Sequence, residues 1–150
     1  MALRRLLRGA GHEVAGVVVG KSRGRSIPSF FREAFRGPVR AVESPSFVSD
    51  GANRSVRPWA TLCREVSRAP TFWRSLERLD AAIDRHDPDV MVNFFEPLVG
   101  VHAMMHGASV PTVAVGHQYM FLHAGYQFPE GRSVERWGTC AFARLTAYGA

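Results

Sequence analysis

Residues 88–100 have the sequence PDVMVNFFEPLVG, in which an apolar run leads directly into the start of a helix. Asp87-Pro88 is a stop signal for the helical segment before it, and residues 90–95 have the apolar character of a buried strand. Glu96-Pro97 then begins a helix that extends to about His106, because proline is favoured in the first helical turn. A strand followed at once by a helix is typical of parallel α/β proteins.

The same alternation continues on both sides of this stretch. Further strands are predicted over residues 14–19, 39–42 and 111–115. Helices are predicted by apolar spacing around residues 3–10, 30–35, 58–70, 72–86 and 134–148, with an irregular loop over 46–57. Because helices alternate with strands, we predict the α/β class, with a Rossmann-like parallel sheet, right-handed crossovers and helices on both faces.

The composition fits one domain of ordinary size, with 150 residues of which 46% are hydrophobic. No stretch approaches the roughly 20 apolar residues that span a bilayer. His12 and Glu13 interrupt the Arg-rich start before it could form a secretion signal, so we expect an intracellular chain. Cys63 and Cys140 lack the CxxC and Cys/His spacings of zinc sites, which favours reduced, packed cysteines.

The net charge of +6 comes almost entirely from arginine, since Lys21 is the only lysine. The arginines are spread along the chain and mostly occupy the polar faces of predicted helices, so we expect solvated faces and no nucleic-acid partner. The chain also lacks the GxGxxG, P-loop and GxSxG patterns. These residues alone therefore give no argument for nucleotide phosphate binding or for a serine triad.

Polar residues follow the predicted strands. The carboxyl ends of parallel strands meet at one edge of a sheet, where open α/β sheets bind their ligands. At this edge the sequence places Lys21, Glu43, Glu96, His117 and Gln118. His117 follows a glycine, which leaves space beside the imidazole, and histidine can act as a base or a hydrogen-bond donor near neutral pH.

Each of these residues also has a purely structural interpretation. Glu96 can cap the helix that it precedes, and His117 can be satisfied by loop backbone. His123 is a further site candidate, but it can equally pack a loop over the sheet. Asn93 lies in an apolar strand, where an unpaired amide costs about 1 to 3 kcal/mol, so we expect it to make a structural hydrogen bond.

Four segments together resemble the amino-terminal domain of bacterial glycosyltransferases of the two-domain GT-B architecture. They are AGHEVAGVVVG (10–20), RPWATLCREV (57–66), PDVMVNFFEPLVG (88–100) and GHQYMFLH (116–123). The resemblance is to predicted glycosyltransferases that are distantly similar to the murein precursor transferase and the UDP-sugar transferases. It spans nearly the whole chain, and GHQYMFLH is its narrowest motif.

This resemblance implies transfer of a sugar from a nucleotide-sugar donor to an acceptor hydroxyl, without a metal or other cofactor. His117 and Glu96 would be the catalytic residues at the acceptor side of the interdomain cleft. The substrate-binding residues would be Gln118, His123, Lys21 and Glu43. A base would take the acceptor proton, and dipoles of the other domain would stabilise the departing diphosphate.

The chain departs from the family pattern at both ends. The family domain begins with a central strand and a Gly-rich loop, whereas this chain starts in the helix that follows them, and the donor-binding domain is absent after Ala150. We therefore expect residues 1–150 to be a partial acceptor-side domain that is truncated at both ends and inactive alone. Its expected location is the cytoplasm, with possible peripheral contact at the inner face of the membrane.

The alternative is a noncatalytic Rossmann-like module that binds a protein partner or an anionic membrane surface. Phe30, Phe31, Phe35 and Trp59 lie near arginines in the sequence and could form an apolar, basic patch. Packing of these aromatic side chains in the core is the competing interpretation.

Overall fold

The computed structural model describes residues 2–35, 37–46, 48, 51, 57–128, 130–131 and 133–148, apart from the side chains of 34, 58 and 133–135. The chain divides into two compact units, Met1–Asp87 and Pro88–Ala150. Most of the loop predicted over 46–57 and the side chain of Val134 lie outside the described residues. Both units combine helices with parallel strands, which confirms the mixed α/β class.

The described residues of the first unit form two strands and four helices. In chain order they are α1 (Ala2–Gly9), β1 (Val17–Lys21), α2 (Ser29–Phe35), β2 (Val39–Glu43), α3 (Pro58–Ser67) and α4 (Ala69–His86). The strands pair in parallel from Val17↔Val39 to Lys21↔Glu43. Because the backbone NH of Val17 donates to the carbonyl of Pro38, at 2.9 Å, the partner strand sets where β1 begins.

The core of this unit lies where α4 packs on β2, and Phe35 at the end of α2 is buried as well. Phe35, Val42, Leu76 and Leu79 are buried, as the helical spacing of α4 predicts. α1 has no buried residue among those described, but Arg4 attaches it: its guanidinium lies over the Phe35 ring, 4.7 Å from the centroid, and donates to the Phe35 carbonyl. This contact replaces the leucine packing that usually anchors an amphipathic helix.

The second unit has two shorter strands in its described part. Its elements are β3 (Met91–Asn93), α5 (Pro97–His106), β4 (Thr112–Ala114), a 3₁₀ helix (His117–Leu122) and α6 (Ser133–Thr146). β3 and β4 pair in parallel from Met91↔Thr112 to Asn93↔Ala114. The 3₁₀ helix replaces the irregular loop expected after β4, because backbone bonds such as Tyr119 N to Gly116 O, at 3.3 Å, span three residues.

The core of the second unit forms where α5 crosses the last turn of α6. Leu98, Ala143 and Thr146 are buried there, and Gly100 lies against the backbone of Leu145. The Thr146 carbonyl, which the helix itself leaves without a partner, accepts hydrogen bonds from Asn93 Nδ2 at 2.8 Å and Tyr119 Oη at 3.3 Å. Side chains of β3 and the 3₁₀ helix thereby fix the end of α6.

The strand predictions need correction at their ends. β1 starts later than predicted and includes Lys21, whereas β3 covers only the middle of residues 90–95. β3 stops early because Phe95 has a left-handed backbone (φ +57°), which cannot continue a strand. The strands of the described residues also form two sheets of two strands each instead of the single parallel sheet that was predicted, and each sheet has its own carboxyl edge.

Burial also differs from the expectation for a sheet covered on both faces. Val113 in β4 is 52% exposed, and the apolar stripe of α3, formed by Trp59, Leu62 and Val66, is exposed as well. Of the predicted aromatic patch, Phe30 and Trp59 are exposed, whereas Phe35 belongs to the core.

The cysteines and the membrane-spanning potential of the helices can also be compared with the sequence. Both cysteines are free, but Cys63 is exposed rather than packed. None of the helices in the described part of the chain has the length and apolar character needed to cross a membrane.

Candidate functional site

The carboxyl edge of the first sheet brings together two of the predicted site residues. Lys21 and Glu43 are register partners at the last position of β1 and β2, and the NH of Ser44 donates to the Lys21 carbonyl at 3.1 Å. The sequence therefore located this pair correctly at a sheet edge, although Lys21 lies in the strand rather than in the following loop.

Arg68 holds the carboxylate of Glu43. Arg68 lies between α3 and α4, and its Nη2 is 2.8 Å from Glu43 Oε2, while its Nη1 is 3.2 Å from Glu65 Oε2. The guanidinium also lies 4.9 Å from the centroid of the Phe72 ring. Because the Arg68 side chain is only 14% exposed and is paired on both sides, it fixes the junction of the two helices to the end of β2.

A cavity of about 370 Å³ opens beside this ion pair. α4 supplies one wall, because Thr71, Arg74, Ser75 and Arg78 recur at helical spacing and share one face of the helix. The buried Ser75 Oγ accepts a hydrogen bond from the NH of Glu43 at 3.1 Å, which places this face at the carboxyl end of β2. We call this cavity the arginine pocket. Among the described residues, its lining includes Arg23, Arg68, Arg74 and Arg78 but only one carboxylate, that of Glu43.

The positive charge of the arginine pocket is largely unpaired. Within the described part of the chain, the salt bridges involve Arg64 and Arg68 and leave Arg23, Arg74 and Arg78 without a carboxylate partner. The sequence did not predict this cluster, because arginines spread along polar helix faces are typically solvated. A signal was present in the spacing of Arg68, Thr71, Arg74, Ser75 and Arg78, but only the fold shows that this face borders a cavity.

The second sheet has its own carboxyl edge, where Glu96 and His117 lie. Asn93 and Ala114 are register partners, and the NH of Val115 donates to the Asn93 carbonyl at 2.7 Å, so the chain leaves both strands on the same side. Glu96 and His117 each follow three residues after these partners. The structure therefore places both residues just beyond the carboxyl edge of the second sheet. The single edge predicted for them together with Lys21 and Glu43 is not found, because the described strands form two separate sheets.

Glu96 acts as the N-terminal cap of α5. Its Oε1 accepts a hydrogen bond from the NH of Leu98 at 3.1 Å, and its own NH donates to Asn93 Oδ1 at 2.8 Å. The capping interpretation of Glu96 is thus confirmed, and so is the structural role expected for Asn93. The hydrogen bond from Leu98 restrains the position of the Glu96 carboxylate. A carboxylate held in this way can orient a neighbouring group.

His117 and Gln118 begin the 3₁₀ helix. His117 is exposed and Gln118 is half-buried. A methyl group at Gly116 would approach the Phe95 ring to 3.2 Å and the Tyr119 ring to 3.3 Å, so the absence of a side chain lets the chain turn closely here. The turn leaves the His117 imidazole at the surface of the sheet edge, where a ligand can reach it.

His123 lies at the end of the 3₁₀ helix, in a turn. It is exposed, and its Nδ1 accepts a hydrogen bond from the NH of Gly125 at 3.1 Å. Phe121, Tyr126 and Phe128 form a cluster beside it, with ring centroids 4.9 to 5.5 Å apart. Tyr126 and Phe128 therefore pack the loop, as the structural alternative proposes, whereas the His123 ring stabilises the turn through its nitrogen.

Comparison with known proteins identified no relative of this chain. No family model, no curated protein and no solved structure matches the chain.

Proposed function

We propose that this chain is an acceptor-side domain of a GT-B type glycosyltransferase. The observation that supports it best is the parallel register of β3 and β4, after which Glu96 and His117 follow at the same sheet edge. Open α/β sheets bind ligands at this edge. The Rossmann-like arrangement of the resembled family is part of the proposal.

In the proposed reaction, His117 is the base. An imidazole nitrogen takes the proton of the acceptor hydroxyl while its oxygen forms a bond to the anomeric carbon of the donor sugar. The bond from that carbon to the diphosphate breaks, and the nucleoside diphosphate leaves with the electron pair. The exposure of His117 favours this role because an acceptor hydroxyl can approach it.

The other candidates have supporting roles in this proposal. Glu96 is held by the α5 amide of Leu98, so it acts as a fixed negative charge at the sheet edge. Gln118 and His123 flank the base along the 3₁₀ helix and contact the acceptor. At the first sheet, Glu43 acts through Arg68, and Lys21 adjoins it as a substrate contact.

Replacement of His117 by alanine tests the proposed base. The full-length product of the gene is incubated with UDP-, GDP- and dTDP-hexoses labelled in the sugar, and label transferred to a detergent extract of the source cells is measured. We expect His117→Ala to lower the transfer rate by about 10²-fold. This is the lower end of the range for general-base catalysis, because water can reach this exposed site and partly replace the imidazole as the base.

His12→Ala is the matched control, since His12 is an exposed histidine outside the proposed site. It should transfer sugar at the wild-type rate. Failure of the wild-type protein to transfer any of these sugars would count against the transferase proposal, and equal rates for His117→Ala and wild type would remove His117 from the role of base.

A second candidate function is binding to an anionic membrane surface. It is favoured by the exposure of Phe30 on α2 and Trp59 on α3, which are 69% and 78% exposed in a chain of net charge +6. Exposed aromatic side chains with basic charge are typical of surfaces that insert shallowly between lipid headgroups. This function requires no catalysis.

Sedimentation with phosphatidylglycerol vesicles tests this candidate. We expect Trp59→Ala to weaken vesicle binding by about tenfold, because withdrawing an aromatic side chain from the lipid loses roughly 1.5 kcal/mol or more. Trp137→Ala, in which an equally exposed tryptophan of α6 is removed, should bind as wild type does. An equal loss in both variants, or no sedimentation of the wild-type chain, would rule out a specific membrane surface of this kind.

A further inference from the structure

The arginine pocket contains positive charge that the described residues do not neutralise. Arg68 is occupied by Glu43 and Glu65, but no salt bridge in the described part of the chain reaches Arg23, Arg74 or Arg78. These three guanidinium groups line the same cavity. Like charges that share a cavity repel one another, and an anion bound between them would remove that repulsion.

The groups that surround the cavity are hydrogen-bond donors suited to phosphate. A guanidinium is a planar fork that pairs with two oxygens of one phosphate, and it is always charged. The hydroxyl of Thr71 lies on the same lining and can add a neutral donor, whereas the Ser67 hydroxyl donates to the Arg64 carbonyl at 2.7 Å. This combination of several guanidiniums and a hydroxyl matches an oxyanion with three or four oxygens better than it matches a carboxylate.

The position of the cavity strengthens the preference for an anion. Arg68 immediately precedes α4, an 18-residue helix, and Thr71 lies in its first turn. The amino end of a helix carries a partial positive charge, which adds to the field of the arginines. The pocket also lies at the carboxyl end of β2, where Ser75 connects α4 to the strand through the NH of Glu43.

The role of Glu43 follows from the same geometry. Its carboxylate accepts from Arg68 and so keeps that guanidinium fixed at the cavity wall. Among the described lining residues, one carboxylate against four arginines still leaves a clear positive excess. The volume of about 370 Å³ lies within the range of roughly 300 to 1,000 Å³ that is usual for small-molecule sites.

We propose that the arginine pocket binds a phosphate group with at least two negative charges, in a phosphomonoester or a diphosphate. Arg74 and Arg78 on α4 and Arg23 after β1 contact the phosphate oxygens, and Arg68 is held in position by Glu43. The binding does not require the chain to be a glycosyltransferase, so it can be present when sugar transfer is not.

Calorimetric titration with inorganic pyrophosphate tests this proposal. At physiological ionic strength, about 0.15 M, pyrophosphate should bind at one site and more tightly than sulfate. The double variant Arg74→Gln/Arg78→Gln should bind at least about tenfold more weakly, because it loses two charge-assisted contacts. Both residues are exposed, so the variant should keep the circular dichroism spectrum and unfolding midpoint of the wild type.

Arg85→Gln is the matched control, because Arg85 is exposed on the same helix but does not line the pocket. It removes one charge and should change the dissociation constant by less than about twofold, as expected for a screened surface charge. Arg74→Lys/Arg78→Lys keeps both charges but lacks the guanidinium forks, so it should bind more weakly than wild type and more tightly than the glutamine variant.

Two further titrations identify the source of the phosphate. Binding of UDP with the same dependence on Arg74 and Arg78 indicates a soluble diphosphate. Binding to vesicles that contain phosphatidic acid, with the same dependence but without binding of UDP, indicates a lipid headgroup. Pyrophosphate binding no tighter than that of sulfate, or an equal loss for Arg85→Gln and a single Arg74→Gln variant, would overturn the proposal, because net charge alone would then explain the affinity.

Discussion

Gly100→Ala is expected to lower the free energy of unfolding of the second unit by about 3 kcal/mol or more, at or beyond the upper end for overpacked cores. Gly100 is buried in α5, and a methyl group there would run into the carbonyl of Leu145 in the last turn of α6. Backbone atoms cannot rotate away as a flexible side chain can. The two helices would therefore have to separate, which would expose Leu98 and Ala143.

Urea unfolding followed by circular dichroism measures this effect, and hydrogen exchange in α5 and α6 assigns it to the second unit. The control is Gly138→Ala in α6, where a methyl group would meet no described atom within 4 Å apart from the neighbouring backbone of its own helix. Since alanine favours a helix by roughly 0.5 to 1 kcal/mol over glycine, the control should be neutral or more stable than wild type. A Gly100→Ala variant as stable as wild type would show that α5 and α6 do not approach this closely.

Asn93→Leu is expected to destabilise the second unit by about 3 kcal/mol, although it replaces a polar side chain in the core with an apolar one of similar size. Asn93 is 2% exposed, and its amide bonds the Thr146 carbonyl at 2.8 Å and the Glu96 NH at 2.8 Å. With leucine at this position, the Glu96 NH would lose its acceptor, Asn93 Oδ1, and the Thr146 carbonyl would lose the hydrogen bond that Asn93 Nδ2 donates to it. Each buried backbone group that loses its partner costs roughly 1 to 3 kcal/mol.

Met91→Leu is the control for this prediction, because Met91 lies two residues earlier on the same strand and receives the same new side chain. A swap of this kind conserves volume and should cost less than about 1.5 kcal/mol. Urea unfolding should therefore separate the two variants clearly. Equal stabilities would mean that the hydrogen bonds of Asn93 contribute nothing beyond the packing of its side chain.

Several elements of the fold could be predicted because their signals are local. Pro58 and Pro97 each occupy the first turn of a helix, as predicted, because the missing NH costs nothing there. Pro70 was expected to end or kink the helix that begins at Pro58, but α3 already ends at Ser67 and Pro70 lies in the first turn of α4. Asp87 adopts a left-handed backbone (φ +40°) at the end of α4, directly before Pro88, as the stop signal indicates. Such features depend only on residues within a turn of one another.

The candidate site was predictable only in part. The placement of Lys21 with Glu43, and of Glu96 with His117, follows from the parallel strands alone. The arginine pocket could not be predicted from the strands, because Arg23 and Arg74 are far apart in sequence. They line the same cavity only because α4 packs on β2. Arginines on a helix face have the same spacing whether they border a cavity or bulk solvent.

The sequence by itself determined the order of helices and strands, their approximate positions and the polar residues that follow each strand, since hydrophobic period and proline chemistry act over a few neighbouring residues. Tertiary structure alone decided where the strands begin and end. β1 begins at Val17, whose NH donates to the Pro38 carbonyl, and β3 ends before Phe95, whose backbone is left-handed. It also decided that the apolar stripe of α3 stays exposed and that Asn93 anchors α6. These outcomes depend on contacts between residues that are distant in sequence, and local sequence patterns do not predict such contacts.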